Sequence, residues 1–264
     1  MGVLNVTPDS FSDGGSYLDS NKAIDHAYKL LHDGSDILDI GAESSRPGAD
    51  LISSKEEISR LLPVLKELSK SAYPISISIN TWKSKVAQTA IDYGALIIND
   101  ISALRWDAKM PKVVASSNAS LIIMHTPAIP KNMQQLAYYQ NVARTIKLFM
   151  EERITYASSC GIKKDKITID PGIGFGKTTV HNIEILRNLS IFSDLEVPIL
   201  IGLSRKQFLR AISTNKKPKI SDLDFYTAIV NVFAWLNGAS ILRVHNVAKA
   251  KESVTIWKEL YYKR

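Results

Sequence analysis

A chain of 264 residues, 45% hydrophobic and 22% charged, with no low-complexity tract or linker-like run, has the size of one large compact domain. Its longest apolar stretches, such as Val197 to Leu203, fall far short of the roughly 20 residues that span a bilayer, and the lone Cys160 excludes an internal disulfide, so a soluble, cytoplasmic protein is expected. The net charge of +7, from 33 basic and 26 acidic residues, favours anionic partners without choosing among them; neither Lys163, Lys164 and Lys166 nor Lys216, Lys217 and Lys219 are interleaved with stacking aromatics, so neither nucleic acid nor membrane is expected.

Short apolar runs alternate along the chain with amphipathic segments of ten to eighteen residues. "GVL" stops at the amide of Asn5 and gives way to a stretch of Thr, Pro, Asp, Ser and Gly, residues 7–15. A helix is predicted after Asp19 and Ser20, with Ala23, Ile24, Ala27, Leu30 and Leu31 on one stripe and Gly34 as its stop. "DILDI" (36–40) follows, then the loop "GAESSRPGA" (41–49). The next helix carries a capping box from Ser54 to Glu57, with Pro63 expected to kink it. The remaining runs are "PISISI" (74–79), "ALIIN" (95–99), "SLIIM" (120–124), "KITID" (166–170), "PILIG" (198–202) and "SILRV" (240–244), which makes eight. Runs rich in β-branched residues and apolar on both faces suit parallel strands buried on both sides. Eight strands, each followed by a helix in about 260 residues, predict an α/β fold: one (β/α)8 barrel over residues 1–264, with a doubly wound open sheet as the alternative.

Barrel enzymes place their chemistry where strands end. At those positions stand Asn5, Asp39, Asn80, Asn99 with Asp100, His125, Asp170, Ser204 to Lys206, and Arg243, His245 and Asn246. Asn and Asp begin ordinary turns, but so many polar groups on one rim cost stability by desolvation, and binding is the more economical reason. Ser204, Arg205 and Lys206, before a helix, together with Arg243 and His245 as cationic donors, suggest a phosphate site; Arg46 can reach in from its Gly/Pro loop. "PGIGFGKT" (171–178) is like a Walker loop but has Pro171 where that motif needs Gly, so its glycines are read as permitting a tight turn or close approach to a flat ligand. The five histidines form no short-spaced pair and argue against zinc; magnesium needs only one or two protein oxygens beside phosphate, and Asn5 is a candidate.

"MGVLNVTPDSFSDGG", "DIGAESSRPGA", "ALIINDISA", "ITIDPGIGFGKTTVHN", "IGLSRKQFL" and "RVHNV", in this order and spacing, resemble the dihydropteroate synthase family, the folate-pathway enzymes that sulfonamides target, over nearly the whole chain. The resemblance implies a (β/α)8 barrel that joins 6-hydroxymethyl-7,8-dihydropterin pyrophosphate to p-aminobenzoate, releasing pyrophosphate and 7,8-dihydropteroate by dissociative substitution, usually as a homodimer. It implies that Asn5 holds magnesium and pyrophosphate, that Arg243 and His245 bind pyrophosphate, and that Asn80, Asn99, Asp170 and Lys206 surround the pterin. Lys206 also borders the p-aminobenzoate pocket. Loops 7–15 and 41–49 become mobile segments bringing Phe11, Ser44, Ser45, Arg46 and Pro47 to the second substrate, whose carboxylate lies near Gln207.

Four positions depart from the family pattern: Asn80 and Asn246 stand for aspartates, Ser45 for threonine and Gln207 for serine. They motivate the alternative of a non-catalytic pterin-binding homologue or regulatory partner. A methyltetrahydrofolate methyltransferase-like barrel would need neither "SRK" nor "TPDSFSDGG". Met1 falls within the first strand, which leaves open a longer folate-pathway polypeptide, for instance one fused to the preceding kinase.

Overall fold

The computed structural model describes residues 1–7, 16–71 and 74–261. Strands and helices alternate: β1 (Gly2–Asn5), α1 (Ser16–His32), β2 (Ile37–Gly41), α2 (Ser54–Leu68), β3 (Ser76–Asn80), α3 (Ser84–Asp92), β4 (Ile97–Asp100), α4 (Met110–Ala115), β5 (Ser120–Met124), α5 (Val142–Ser159), β6 (Ile167–Asp170), α6 (Thr179–Arg187), β7 (Leu200–Ile201), α7 (Gln207–Ile212), α8 (Ile220–Leu236), β8 (Ile241–Leu242) and α9 (Val247–Tyr261). β1 to β6 form a parallel sheet in sequence order, and β7 pairs with β8 in parallel. Parallel bridges join Ile169 to Ile199 and Gly2 to Val244, so the ring closes as the (β/α)8 barrel expected.

The period of two along each strand sorts the side chains. Leu38, Ile40, Ile77, Ile79, Ile98, Leu121, Ile123, Ile167 and Ile169 face outward and join the main core beneath the helices. Each such buried aliphatic contributes about 1.5–3 kcal/mol. A separate cluster of Met1, Ile122 and Leu200, packed with Ile37, Ile97 and Ile241, fills the barrel interior. One step of two toward the strand ends from Ile37, Ile97 and Ile241 stand Asp39, Asn99 and Arg243, where apolar filling gives way to polar groups.

Helix ends differ in detail from expectation. α1 begins at Ser16, before Asp19 and Ser20, and does stop before the left-handed Gly34 (φ 93°). The cap of α2 is Ser53, whose side chain accepts from Glu56 N, rather than a Ser54 to Glu57 box; Glu57 is drawn inward to Lys83. α2 runs through Pro63 as a single helix. No helix among the described residues is long and apolar enough to cross a membrane.

Candidate active site at the strand ends

Asp39 is the hub of the barrel mouth. Fully buried on β2, it accepts from Ser78 Oγ on β3 (2.6 Å), from Asn99 Nδ2 on β4 (3.2 and 3.3 Å to its two oxygens) and from Arg243 Nε at the end of β8 (2.7 Å). One carboxylate thus fixes an amide and a guanidinium from strands distant in sequence, and leaves the remaining Arg243 donors for another anion. Asn5 and Asn80 flank Gly41: a Cβ there would lie 3.9 Å from Asn5 Oδ1 and 3.6 Å from Asn80 Cβ.

Asp170, at the end of β6, is buried and accepts from Gly172 N at 2.7 Å. Burial raises its pKa, against that hydrogen bond and the pull of Lys206, Arg243 and Lys177. Lys206 lies with its Nζ 4.1 Å from the Phe175 ring centroid. Burial chiefly, then Arg243, brings its pKa down to about 8, with Asp170 opposing. Asn99, Asp170, Lys206 and Arg243 therefore act on one space.

The loop after β6 is pinned from below. Lys177 Nζ reaches His125 Nδ1 (2.9 Å), His125 O (3.3 Å) and Phe175 O (2.9 Å), one acceptor for each ammonium proton. Burial nonetheless lowers its pKa to about 7. His125 is pushed down to about 2 by burial, then by Lys177 and Arg105, so its ring is neutral. Lys177 thus shapes the loop and is turned away from the helix N-terminus where a Walker lysine would meet phosphate. At Gly172 (φ 73°) a Cβ would fall 2.0 Å from His125 O, so only glycine lets this loop close over β5.

On the rim of β7 and β8, Ser204 Oγ accepts from His245 N (3.1 Å) and lies 2.8 Å from His245 Nδ1. Burial, then the charges of Arg205, Arg243 and Lys206, brings the His245 pKa down to about 3. His245 is accordingly a neutral hydrogen-bonding group rather than the cation expected from sequence. Arg205 departs from the phosphate cluster as well: its backbone is left-handed (φ 59°) and its guanidinium turns outward to Asp224 on α8 (2.7 and 3.1 Å).

The loop after β2 rests on a buried trio. Lys83 Nζ lies 2.6 Å from both Glu43 Oε1 and Glu57 Oε2, and Trp82 Nε1 donates to Glu43 Oε2 at 2.9 Å. Burial raises the Glu57 pKa against the Lys83 contact. Beyond Glu43, Gly48 N donates to Pro130 O at 3.1 Å, and Ser44, Ser45, Asn80 and Thr81 line a narrow crevice against Pro130. Arg46 and Pro47 are exposed on this loop, and Gln207 is exposed at the start of α7.

The family described as pterin binding enzyme matches residues 1–245. A dihydropteroate synthase of Streptococcus pyogenes serotype M6 is 39% identical over 98% of this chain and 94% of the relative. The solved structure of the Xanthomonas albilineans dihydropteroate synthase with 4-aminobenzoic acid superposes with a TM-score of 0.92 at 36% identity, covering 100% of this chain and 93% of the other. That synthase in complex with 7,8-dihydropteroate gives 0.88 at 33% identity, covering 100% and 94%. The chain belongs to the dihydropteroate synthase family. The strand ends place Asn5 and Asn80 on either side of Gly41, Asn99 and Arg243 on Asp39, Asp170 within electrostatic reach of Lys206 and Arg243, and His245 on Ser204. Phe11 and the rest of residues 8–15 lie outside the described residues. Asp39, singled out from sequence only as one of the strand-end polar groups, is the hub of the site, and Lys83 and Lys177, given no role there from sequence, hold its loops. Asp39 carried its signal as an acid in the middle of an apolar strand, and Lys177 as part of a glycine-rich segment.

Proposed function

We propose that this chain is an active dihydropteroate synthase, condensing 6-hydroxymethyl-7,8-dihydropterin pyrophosphate with p-aminobenzoate. The observation that carries the reading is the convergence of a carboxylate and an amide, Asp170 and Asn99, with two cations, Lys206 and Arg243, inside one barrel mouth. Asp170 offers two acceptor oxygens to the adjacent ring N–H and amino donors of a pterin, and Asn99 supplies a donor and acceptor beside it. The C–O bond to the diphosphate breaks and the electron pair leaves with it. The p-aminobenzoate nitrogen then bonds to the methylene carbon and gives up a proton. Charge grows on the departing diphosphate, and the Arg243 guanidinium, held at 2.7 Å by Asp39, stabilises it without having to reorganise. His245, fixed by Ser204, adds a hydrogen bond. Lys206 sits between this end and the second substrate, with Ser44, Ser45, Arg46, Pro47 and Gln207 on the p-aminobenzoate side.

Among the described residues no group of three or more Asp, Glu, His or Cys could hold a metal ion by itself. A single amide oxygen at a strand end, Asn5, fits magnesium that arrives with substrate phosphates. Such an ion supplies Lewis-acid neutralisation of the leaving oxygens. A homodimer is supported by α8, where Phe225, Ile229, Phe233 and Leu236 form an exposed apolar stripe at helical spacing (58, 54, 44 and 41% exposed). Cys160 as the one cysteine suits a cytoplasmic setting.

Purified protein incubated with the pterin pyrophosphate, labelled p-aminobenzoate and magnesium is expected to form labelled dihydropteroate. Pterin binding without product, unrestored by Asn80→Asp, would establish a non-catalytic homologue instead.

A further inference from the structure

The loops that carry Lys206 and Arg243 are fastened to each other from behind, by a group that points away from the substrate space. Asp224 on α8 is 6% exposed and accepts three hydrogen bonds from two loops: from Arg205 Nε at 2.7 Å and Arg205 Nη2 at 3.1 Å in the loop after β7, and from Asn246 Nδ2 at 3.1 Å in the loop after β8. One helical turn on, Thr227 Oγ1 accepts from Arg205 N at 3.2 Å while donating to Leu223 O at 2.6 Å. Asn246 faces both ways, because its Oδ1 also accepts from Lys249 N at 3.1 Å in the first turn of α9.

The backbone shows why a fastening is needed. Arg205 is left-handed (φ 59°), a conformation disfavoured for a residue with a Cβ and sustained only when its surroundings over-determine it. That conformation sends residue 205 outward while its neighbours Ser204 and Lys206 remain on the substrate side, where Ser204 holds His245. A bidentate, largely buried carboxylate with a third donor from the adjacent loop is the over-determining contact. Burial alone would raise the Asp224 pKa, and the Arg205 and Asn246 hydrogen bonds more than offset it, so the group is charged at neutral pH.

We propose that Asp224 is a positioning residue, a single carboxylate that locks the β7 and β8 loops together and so sets the spacing of Lys206, Arg243 and His245 around the diphosphate-bearing substrate. The inference rests on the synthase reading for the identity of that substrate. It adds that the lock is a carboxylate shared across two loops, and that this charge is transferable: Asn246 touches Asp224 directly, so a carboxylate at 246 and an amide at 224 keep the same carboxylate–amide contact, with the amide oxygen at 224 still an acceptor for Arg205.

The test is a charge exchange. Asp224→Asn is expected to raise the KM for the pterin pyrophosphate and weaken binding of inorganic pyrophosphate, read by calorimetry, by roughly tenfold or more, with a smaller change in kcat. Asn246→Asp in that background is expected to recover both to within roughly threefold of wild type, a rescue that generic loosening of the fold would not show. Wild-type constants in Asp224→Asn, or no recovery in the double variant, overturn the proposal. Should Asp224→Asn not fold, Arg205→Gln leaves the carboxylate capped by Asn246; it is expected to lose pyrophosphate affinity likewise, and unchanged affinity overturns the lock. Failure of the wild type to make dihydropteroate would strike the synthase reading instead, since pyrophosphate binding compares the variants without turnover.

Discussion

Replacing Asp39 by asparagine should both destabilise the barrel and weaken substrate binding. The carboxylate is fully buried and serves Ser78, Asn99 and Arg243 at once. An amide keeps the shape but loses the charge, and one of its ends becomes a donor. The less costly orientation turns the new NH2 toward Ser78, whose hydroxyl can rotate to accept, and leaves the amide oxygen for Arg243. What remains is a guanidinium with a side chain only 21% exposed that has lost the carboxylate it was bonded to. Removing one partner of a buried pair costs about 3–5 kcal/mol, and the partial exposure of Arg243 puts the expectation near the lower bound. Urea unfolding at pH 7 gives the number directly, provided the slope with denaturant is unchanged. The cycle with Arg243→Gln separates the pair from the packing: the double variant should lose less than the sum of the singles, because neither charge is then stranded. A loss below about 1 kcal/mol in Asp39→Asn, the size of an exposed ion pair, would refute the hub assignment.

Lys206→Ala and Arg243→Ala should each lower turnover at least about tenfold, or about 1.4 kcal/mol of barrier, in the dihydropteroate assay; unchanged kinetics in both would mean the pocket lies elsewhere. His125, neutral in the fold with a pKa of about 2, takes a proton near 6.5 only when unfolded, so its folded pKa is depressed and stability falls as pH drops below about 6.5. Denaturation curves from pH 7 to pH 4 should therefore show His125→Gln with a slope shallower by about 1.4 kcal/mol per pH unit, and parallel curves would count against it. Lys83→Met strands Glu43 and Glu57, with an expected loss of about 3–5 kcal/mol at pH 7 that shrinks at pH 5 as Glu57, its pKa raised by burial, takes up a proton. A loss independent of pH would point to packing instead.

The barrel was legible because its strands are buried on both faces and read as unbroken apolar runs, while the strand ends concentrate Asn, Asp, Arg and His. Periodicity says where a run stops; it does not say which partners a side chain meets across the ring. Glu57 looked like a capping residue because it follows Ser54 by three, yet it belongs to Lys83, 26 positions away. The glycines around Lys177 read as a tight turn, but only the fold shows that the lysine itself holds that turn from His125 beneath it. Arg205 sits in sequence between two residues on the substrate side. Its left-handed backbone, which no arginine announces, sends it outward. The four family departures divide similarly: Asn246 has acquired a definite partner in Asp224, Asn80 and Ser45 line the crevice beside the loop after β2, and Gln207 makes no contact that explains its replacement of serine.

A ring of staves is only as tight as its joints. β2 and β3 are paired through four residues, whereas β8 meets β1 through Val3 N to Val244 O, Val244 N to Met1 O and the Met1 amine to Leu242 O. Asn5 and Arg243 stand on either side of that joint, and inside the ring the bond from Arg243 to Asp39 reaches over β1 to β2. On the synthase reading proposed above, a diphosphate held by both would be a rivet through that seam, and the loosening that lets it go would be the breathing of the hoop.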